Sequence, residues 1–208
     1  MSDTLLGAIV LVPFLVFIFV AGYLIYKFKN RRLTAAWGPL VALVNGQVVG
    51  DGGGGTSSWL SGAYQGRAVV AKLAPNLNES TTDGTSSGVK YNYFDVALTG
   101  MPGQQNWAVD YRRSVLGMGK SGWGVETKDR ALQAALEATG VIDLVTPFGQ
   151  PPPHFHLPPV QYSRSEQTLR YRADISPAVA PSPERFGQMV GLLAQLAEIN
   201  ARVNKPLA

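Results

Sequence analysis

From Leu5 to Tyr26 the chain runs for 22 residues without a charged side chain. As an α-helix rising 1.5 Å per residue, this segment is about 33 Å long and matches a hydrocarbon core of about 30 Å. The run therefore predicts a single transmembrane helix. A cleaved secretory signal would place positive charge before a shorter apolar stretch and close it with a small-residue site. Here the basic cluster follows the run, and no Ala-x-Ala site ends it.

That cluster, Lys27, Lys29, Arg31 and Arg32, faces only Asp3 and the terminal amine across the span. By the positive-inside rule, the N-terminus is expected outside and the rest of the chain in the cytoplasm, as for a single-pass protein of a bacterial inner membrane. Tyr23, Tyr26 and Phe28 fit an interfacial aromatic belt, with Lys27 and Lys29 snorkelling toward headgroups. On that side of the membrane the sequon Asn78-Glu79-Ser80 is irrelevant to glycosylation. The span contains no ionisable side chain, which removes proton relays and haem-ligating histidines from it. Pro13 is a possible kink, and no GxxxG pair drives close dimerisation. Phe14 and Phe17 are the candidates for contact with a neighbouring membrane subunit.

Charge is unevenly distributed. The whole chain carries +4, but residues 33–208 hold 14 basic against 13 acidic residues, so the excess belongs to the membrane flank. A nearly neutral domain lacks the field of a phosphate-backbone binder, and nucleic acid is not expected as a partner. Cysteine is absent, which excludes disulfides, thiolate catalysis and cysteine metal sites. Hydrophobic content of 46% is enough for a folded core. Residues 1–32 are thus expected as the anchor with its basic flank, and residues 33–208 as one cytoplasmic domain.

Helical signals appear over Leu33 to Asn45, with Leu40, Leu43 and Val44 on one side and Gly46 as the stop. Four consecutive glycines, Gly52 to Gly55, mark a loop over Gly50 to Ser58. Trp59 to Tyr64, Gln65-Gly66 and Arg67 to Leu73 read as a hairpin. Pro75 to Gly88 is rich in turn formers and reads as a long loop. Val89 to Thr99 and Trp107 to Val115 alternate as strands, with an antiparallel meander the simplest arrangement. Thr127 is placed to cap a helix over Lys128 to Thr139 that buries Leu132, Ala135 and Leu136 and ends at Gly140. Val141 to Thr146 suggests a short strand, and Val160 to Tyr162 with Gln167 to Ala173 a last hairpin. Ser182, Pro183 and Glu184 open a final helix whose apolar stripe is Phe186, Met189, Val190, Leu193, Leu196, Ala197 and Val203. The fold class expected is α+β: an N-terminal transmembrane helix, then a mainly antiparallel sheet with packing helices.

No catalytic constellation emerges. Gly117 to Ser121 ends like a phosphate loop, but Ser114 stands where the pattern needs glycine, and Gly122-Trp123-Gly124 would break the helix that should follow. His154 and His156 sit two apart among prolines without a marked carboxylate, so a stiff surface segment is preferred to a metal site. The aspartates have no spacing that fixes a pair, and no Gly-x-Ser-x-Gly elbow is present. No cofactor and no enzymatic activity are expected. Trp37 and Trp59 are candidate partner contacts, since large amphipathic rings anchor interfaces. These observations point to a noncatalytic accessory or scaffolding subunit, docked by its helix in a membrane complex such as a photosynthetic or respiratory one. The alternative is a membrane-tethered ligand-sensing module using the Pro75 to Gly88 loop as a lid. That alternative carries a small-molecule ligand, which the leading reading does not.

Overall fold

The computed structural model describes residues 3–50, 59–75, 92–112, 122–148, 158–175 and 180–205; in the first helix it describes the side chains of 13–24, 27, 31 and 35 onward. That helix, α1, runs without interruption over Asp3–Leu43. Among the described residues no helix is long and apolar enough to cross a membrane. The transmembrane span expected over Leu5 to Tyr26 is therefore not supported by the fold.

The last turns of α1 enter the domain core. Trp37, Leu40 and Val44 are buried, whereas Leu43, expected on the same side, is exposed. Asn45, at φ 44°, takes the left-handed position after the helix, and the Gly46 N–H donates to the Val41 carbonyl at 3.0 Å. Gly46 is needed for a different reason than a stop signal. A Cβ on Gly46 would lie 2.9 Å from the Gly62 Cα, and one on Gly62 would lie 2.9 Å from the Gly46 Cα, so the two backbones cross where side chains cannot fit.

β1 (Gln47–Val49), unforeseen in the sequence, pairs with β2 (Trp59–Tyr64), which turns into β3 (Arg67–Pro75) as expected. Both turn residues have positive φ, 49° at Gln65 and 76° at Gly66, the geometry that matches the twist of a two-residue hairpin. β4 (Asn92–Leu98) continues the sheet beside β3. β5 (Trp107–Arg112) then departs from the expected meander. The last hairpin, β7 (Val160–Ser163) and β8 (Thr168–Asp174), inserts between β4 and β5, giving the order β1-β2-β3-β4-β8-β7-β5-β6. Every pairing is antiparallel. The crossover 99–106 thus passes over the positions that β8 and β7 occupy.

β6 (Gly122–Thr127) is a strand despite its two glycines, held by pairing along the whole of β5 and by the edge-on contact of Trp123 with Tyr111. α2 (Arg130–Ala138) is capped by Asp129 rather than Thr127, since the carboxylate accepts from the N–H groups of Ala131 and Leu132. The strand expected over Val141 to Thr146 is instead α3 (Val141–Val145) followed by a 3₁₀ turn at Thr146–Phe148. Gly140, at φ 72°, redirects the chain straight into this short helix, which buries Val141 and Val145 four residues apart. α4 (Pro183–Val203) begins as its signals predict: Ser182 Oγ accepts from the Arg185 N–H at 3.2 Å, and Phe186 through Ala197 form the buried stripe.

Among the described residues, α1 to α4 pack on one face of the sheet. Phe94 of β4 lies edge-on to both Trp37 of α1 (5.6 Å) and Phe186 of α4 (6.0 Å), in a core that also takes in Val96 of β4, Tyr171 of β8 and Val109 of β5. α1 runs over the sheet from the row of Phe94 and Leu73 toward the row of Ala63, whose N–H donates to the Val44 carbonyl. Its N-terminal part consequently leaves the domain at the end where β3 and β8 finish.

Candidate partner surfaces

The exposed part of α1 is apolar in every direction. Phe14, Leu15, Val16, Phe17, Ile18, Phe19 and Val20 are consecutive and all exposed, Phe17 at 68% and Phe19 at 77%. Two helical turns of large side chains therefore present no polar stripe to water. A helix apolar all round is ordinarily covered, either by protein or by lipid. At its C-terminal border Tyr23 is exposed, and the Lys27 ammonium lies 5.8 Å from the centre of its ring. Arg31 is exposed as well. The side chains of Tyr26, Phe28, Lys29 and Arg32 lie outside the described residues.

The structure separates the four candidate partner contacts. Phe14 and Phe17 stand on the apolar sleeve. Trp37 is 1% exposed and lies edge-on against Phe94, because it belongs to the turn of α1 that docks on the sheet. Trp59 is half-buried at the start of β2, on the sheet face that carries no helix.

On that open face, cross-strand register places Trp59, Lys72, Asp95 and Arg172 in one row. Asp95 is 2% exposed, and its carboxylate accepts from Arg172 Nε at 2.5 Å and Nη2 at 2.7 Å. The hydrogen bond to Asp95 holds the Arg172 guanidinium above its ordinary value against the opposing effect of burial. Such a bidentate pair satisfies both groups, and it explains how a carboxylate is buried in a central strand.

A second polar cluster ties the crossover to α4. Asn204 Oδ1 accepts from the backbone N–H groups of Gln104 (2.9 Å) and Gln105 (3.0 Å), and its Nδ2 donates to the Gln105 carbonyl (2.9 Å) and to Asn200 Oδ1 (3.0 Å). Asn200 Oδ1 also accepts from the Trp107 indole at 2.8 Å, while its amide donates to the Pro102 carbonyl. Tyr162 donates to the Met101 carbonyl at 2.8 Å, and burial raises its phenol above the ordinary value. A side chain at Gly103 would come within 2.7 Å of both Asn204 Nδ2 and Tyr162 Oη. The loop is fixed backbone atom by backbone atom.

Beyond this brace a groove of about 550 Å³ opens, lined in part by Gln104, Gln105, Asn106, Lys128, Gln161 and Arg164. None of these was singled out in the sequence. Asn200 and Asn204 did leave a signal, since both fall on the helical period of the buried stripe in α4 and interrupt it with amides. Among the described residues no group of three or more metal-ligating side chains converges. His154, His156 and the Gly117 to Ser121 turn lie outside them, as do most of the Gly50 to Ser58 and Pro75 to Gly88 loops.

Comparison with protein-family models, with curated proteins and with solved structures produces no match.

Proposed function

We propose that the chain is a noncatalytic, single-pass membrane accessory or scaffolding subunit, whose first helix docks in a membrane protein complex and whose α+β domain makes protein contacts on the cytoplasmic side. The observation that carries this reading is the all-round apolar exposure of Phe14 to Val20 on a helix whose other end is built into the domain core. The sequence extends the same character over 22 uncharged residues, long enough for the hydrocarbon core. The flank Lys27, Lys29, Arg31 and Arg32 supports the orientation with the N-terminus outside, and the Lys27 contact with Tyr23 suits the headgroup layer. A photosynthetic or respiratory assembly in a bacterial inner membrane is the first setting to examine.

Extraction in mild detergent and affinity purification of the full chain test the proposal: a stoichiometric membrane partner is expected, and loss of that partner on replacing Phe14 and Phe17 with Ala places the contact on the helix. Recovery of the chain alone from its native membrane would sink it. The orientation has its own test. Changing the four basic flank residues to Gln removes interactions worth about 1 kcal/mol each with anionic headgroups, and protease protection should then report mixed topology. A uniform orientation in that variant would assign topology to something other than these charges.

A further inference from the structure

Beside the braced crossover, buried hydrogen bonds hold the backbone whose side chains line the groove. Its position follows from topology. α1 leaves the domain over the end where β3 and β8 finish, whereas the groove sits where β5 begins and β6 and β7 end. It therefore opens at the end of the domain opposite the anchor.

Three features define what fits it. Lys128 and Arg164 are exposed on its walls, and among the described residues neither forms an ion pair; Glu126 is the acidic residue of the lining. The Asn204 brace consumes the backbone groups of Gln104 and Gln105 while their side chains line the groove, and Asn106 Oδ1 accepts from the Arg164 N–H at 2.6 Å, tying the two walls together. Trp107, at the base, is 1% exposed and turns its indole N–H inward to Asn200, so no ring is offered for a sugar or base to stack on. A smaller hollow of about 200 Å³ shares Gln161 and continues along the open sheet face past Thr168 to the Arg170–Glu166 pair. The result is a rigid polar channel with carboxamides for hydrogen bonding and a net positive wall. A groove of this size lies within the common range of binding sites, about 300–1,000 Å³.

We propose that this channel binds an extended acidic peptide segment of a partner subunit, with Lys128 and Arg164 pairing its carboxylates and Gln104, Gln105 and Gln161 bonding its main chain. The inference rests on the accessory-subunit reading for the source of the peptide, but its chemistry rests on the groove alone.

The full chain in nanodiscs of zwitterionic lipid, titrated into a fluorescent Glu-Gly repeat peptide, measures it by anisotropy. Saturable binding is expected, weakened about tenfold or more by replacing Glu with Gln in the peptide or by the double variant Lys128→Glu, Arg164→Glu. Gln104→Ala with Gln105→Ala keeps the backbone brace and should weaken binding about threefold without changing its salt dependence. If charge reversal upsets folding, the milder Lys128→Gln, Arg164→Gln pair replaces it, and an unchanged unfolding midpoint certifies either variant. Absence of binding at millimolar peptide, equal binding by the charge-altered variants, or tighter binding of an anionic glycan of matched charge overturns the proposal. Copurification of the membrane partner is read separately: a chain that keeps its partner but ignores the peptide loses only this inference.

Discussion

Between Phe14 and Val20, α1 exposes every side chain; between Trp37 and Val44, the same chain direction buries three large residues in the domain core. The upper stretch is large and apolar at every position, whereas the lower one is interrupted by Gly38, Pro39 and Ala42, and their surroundings are opposite. What differs is the spacing of the apolar residues and what lies beside them. Trp37, Leu40 and Val44 recur at three and four residues, with Trp37 against Phe94 and Val44 against the Gly62 region of β2, and more exposed positions separate them. The upper stretch has no such gaps, and a helix without a polar side offers no unique docking face to a small sheet.

The sharpest way to break this comparison is to charge the upper stretch. On the proposed transmembrane reading, replacing Val16 and Phe17 with Arg costs about 2.5–3.5 kcal/mol each near the centre of a bilayer, and the chain should leave the carbonate-resistant membrane fraction almost completely. Retention there would mean that this stretch contacts something other than lipid. Truncating the lower stretch should act on folding: Trp37→Ala removes a fully buried indole and is expected to destabilise the domain by about 3–5 kcal/mol in denaturant unfolding, against less than about 0.5 kcal/mol for Phe17→Ala. Equal effects would erase the distinction between the two stretches.

A smaller effect tests whether the second buried helix, α4, owes part of its hold to amides. Asn204→Ala strands the N–H groups of Gln104 and Gln105 and the Gln105 carbonyl and should cost about 3 kcal/mol, while Gly103→Ala, which presses a Cβ on the same amide, should cost about 1–3 kcal/mol. Midpoints within experimental error of the parent would show that solvent replaces the brace freely.

The last effect is confined to alkaline pH. Tyr171 donates to the Phe148 carbonyl at 2.8 Å, and burial pushes its phenol up to about 12, partly offset by the charge of Arg185. Because the folded value exceeds the ordinary 10, its contribution is fully present below pH 10 and is lost as pH rises through about 12. The loss should reach roughly 2–3 kcal/mol, and Tyr171→Phe should flatten that limb of the stability profile. An unchanged limb in the variant would place the titration elsewhere.

Local chemistry carried far in the sequence. The Gln65-Gly66 turn and the Ser182-Pro183-Glu184 opening of α4 each contain their own geometric instruction, and both elements stand where those residues place them. Strand order carries no such instruction. Alternation in β4 and β5 identifies two strands but says nothing about which neighbour each selects, and the choice is made by the later β7–β8 hairpin filling the gap. Val141 to Val145 fails for another reason: five residues that are apolar except for Asp143 suit a strand or a helical turn equally, and here they follow the left-handed Gly140 into a helix. The groove was illegible because its walls come from the crossover, the start of α2 and the β7–β8 turn, ordinary polar residues until the sheet assembles them.

The unbroken course of α1 has one more consequence, for insertions and deletions. From Lys27 to Ala36 the helix contains neither proline nor glycine, so the exposed apolar sleeve and the domain face are locked in angular phase. Adding a single residue there would rotate the domain by about 100° and lift it about 1.5 Å, turning the distal channel toward a different neighbour. Adding seven would return the bearing to within about 20° while raising the domain about 10 Å. Length changes in this segment should therefore be tolerated in steps of whole helical repeats, as teeth on a gear are.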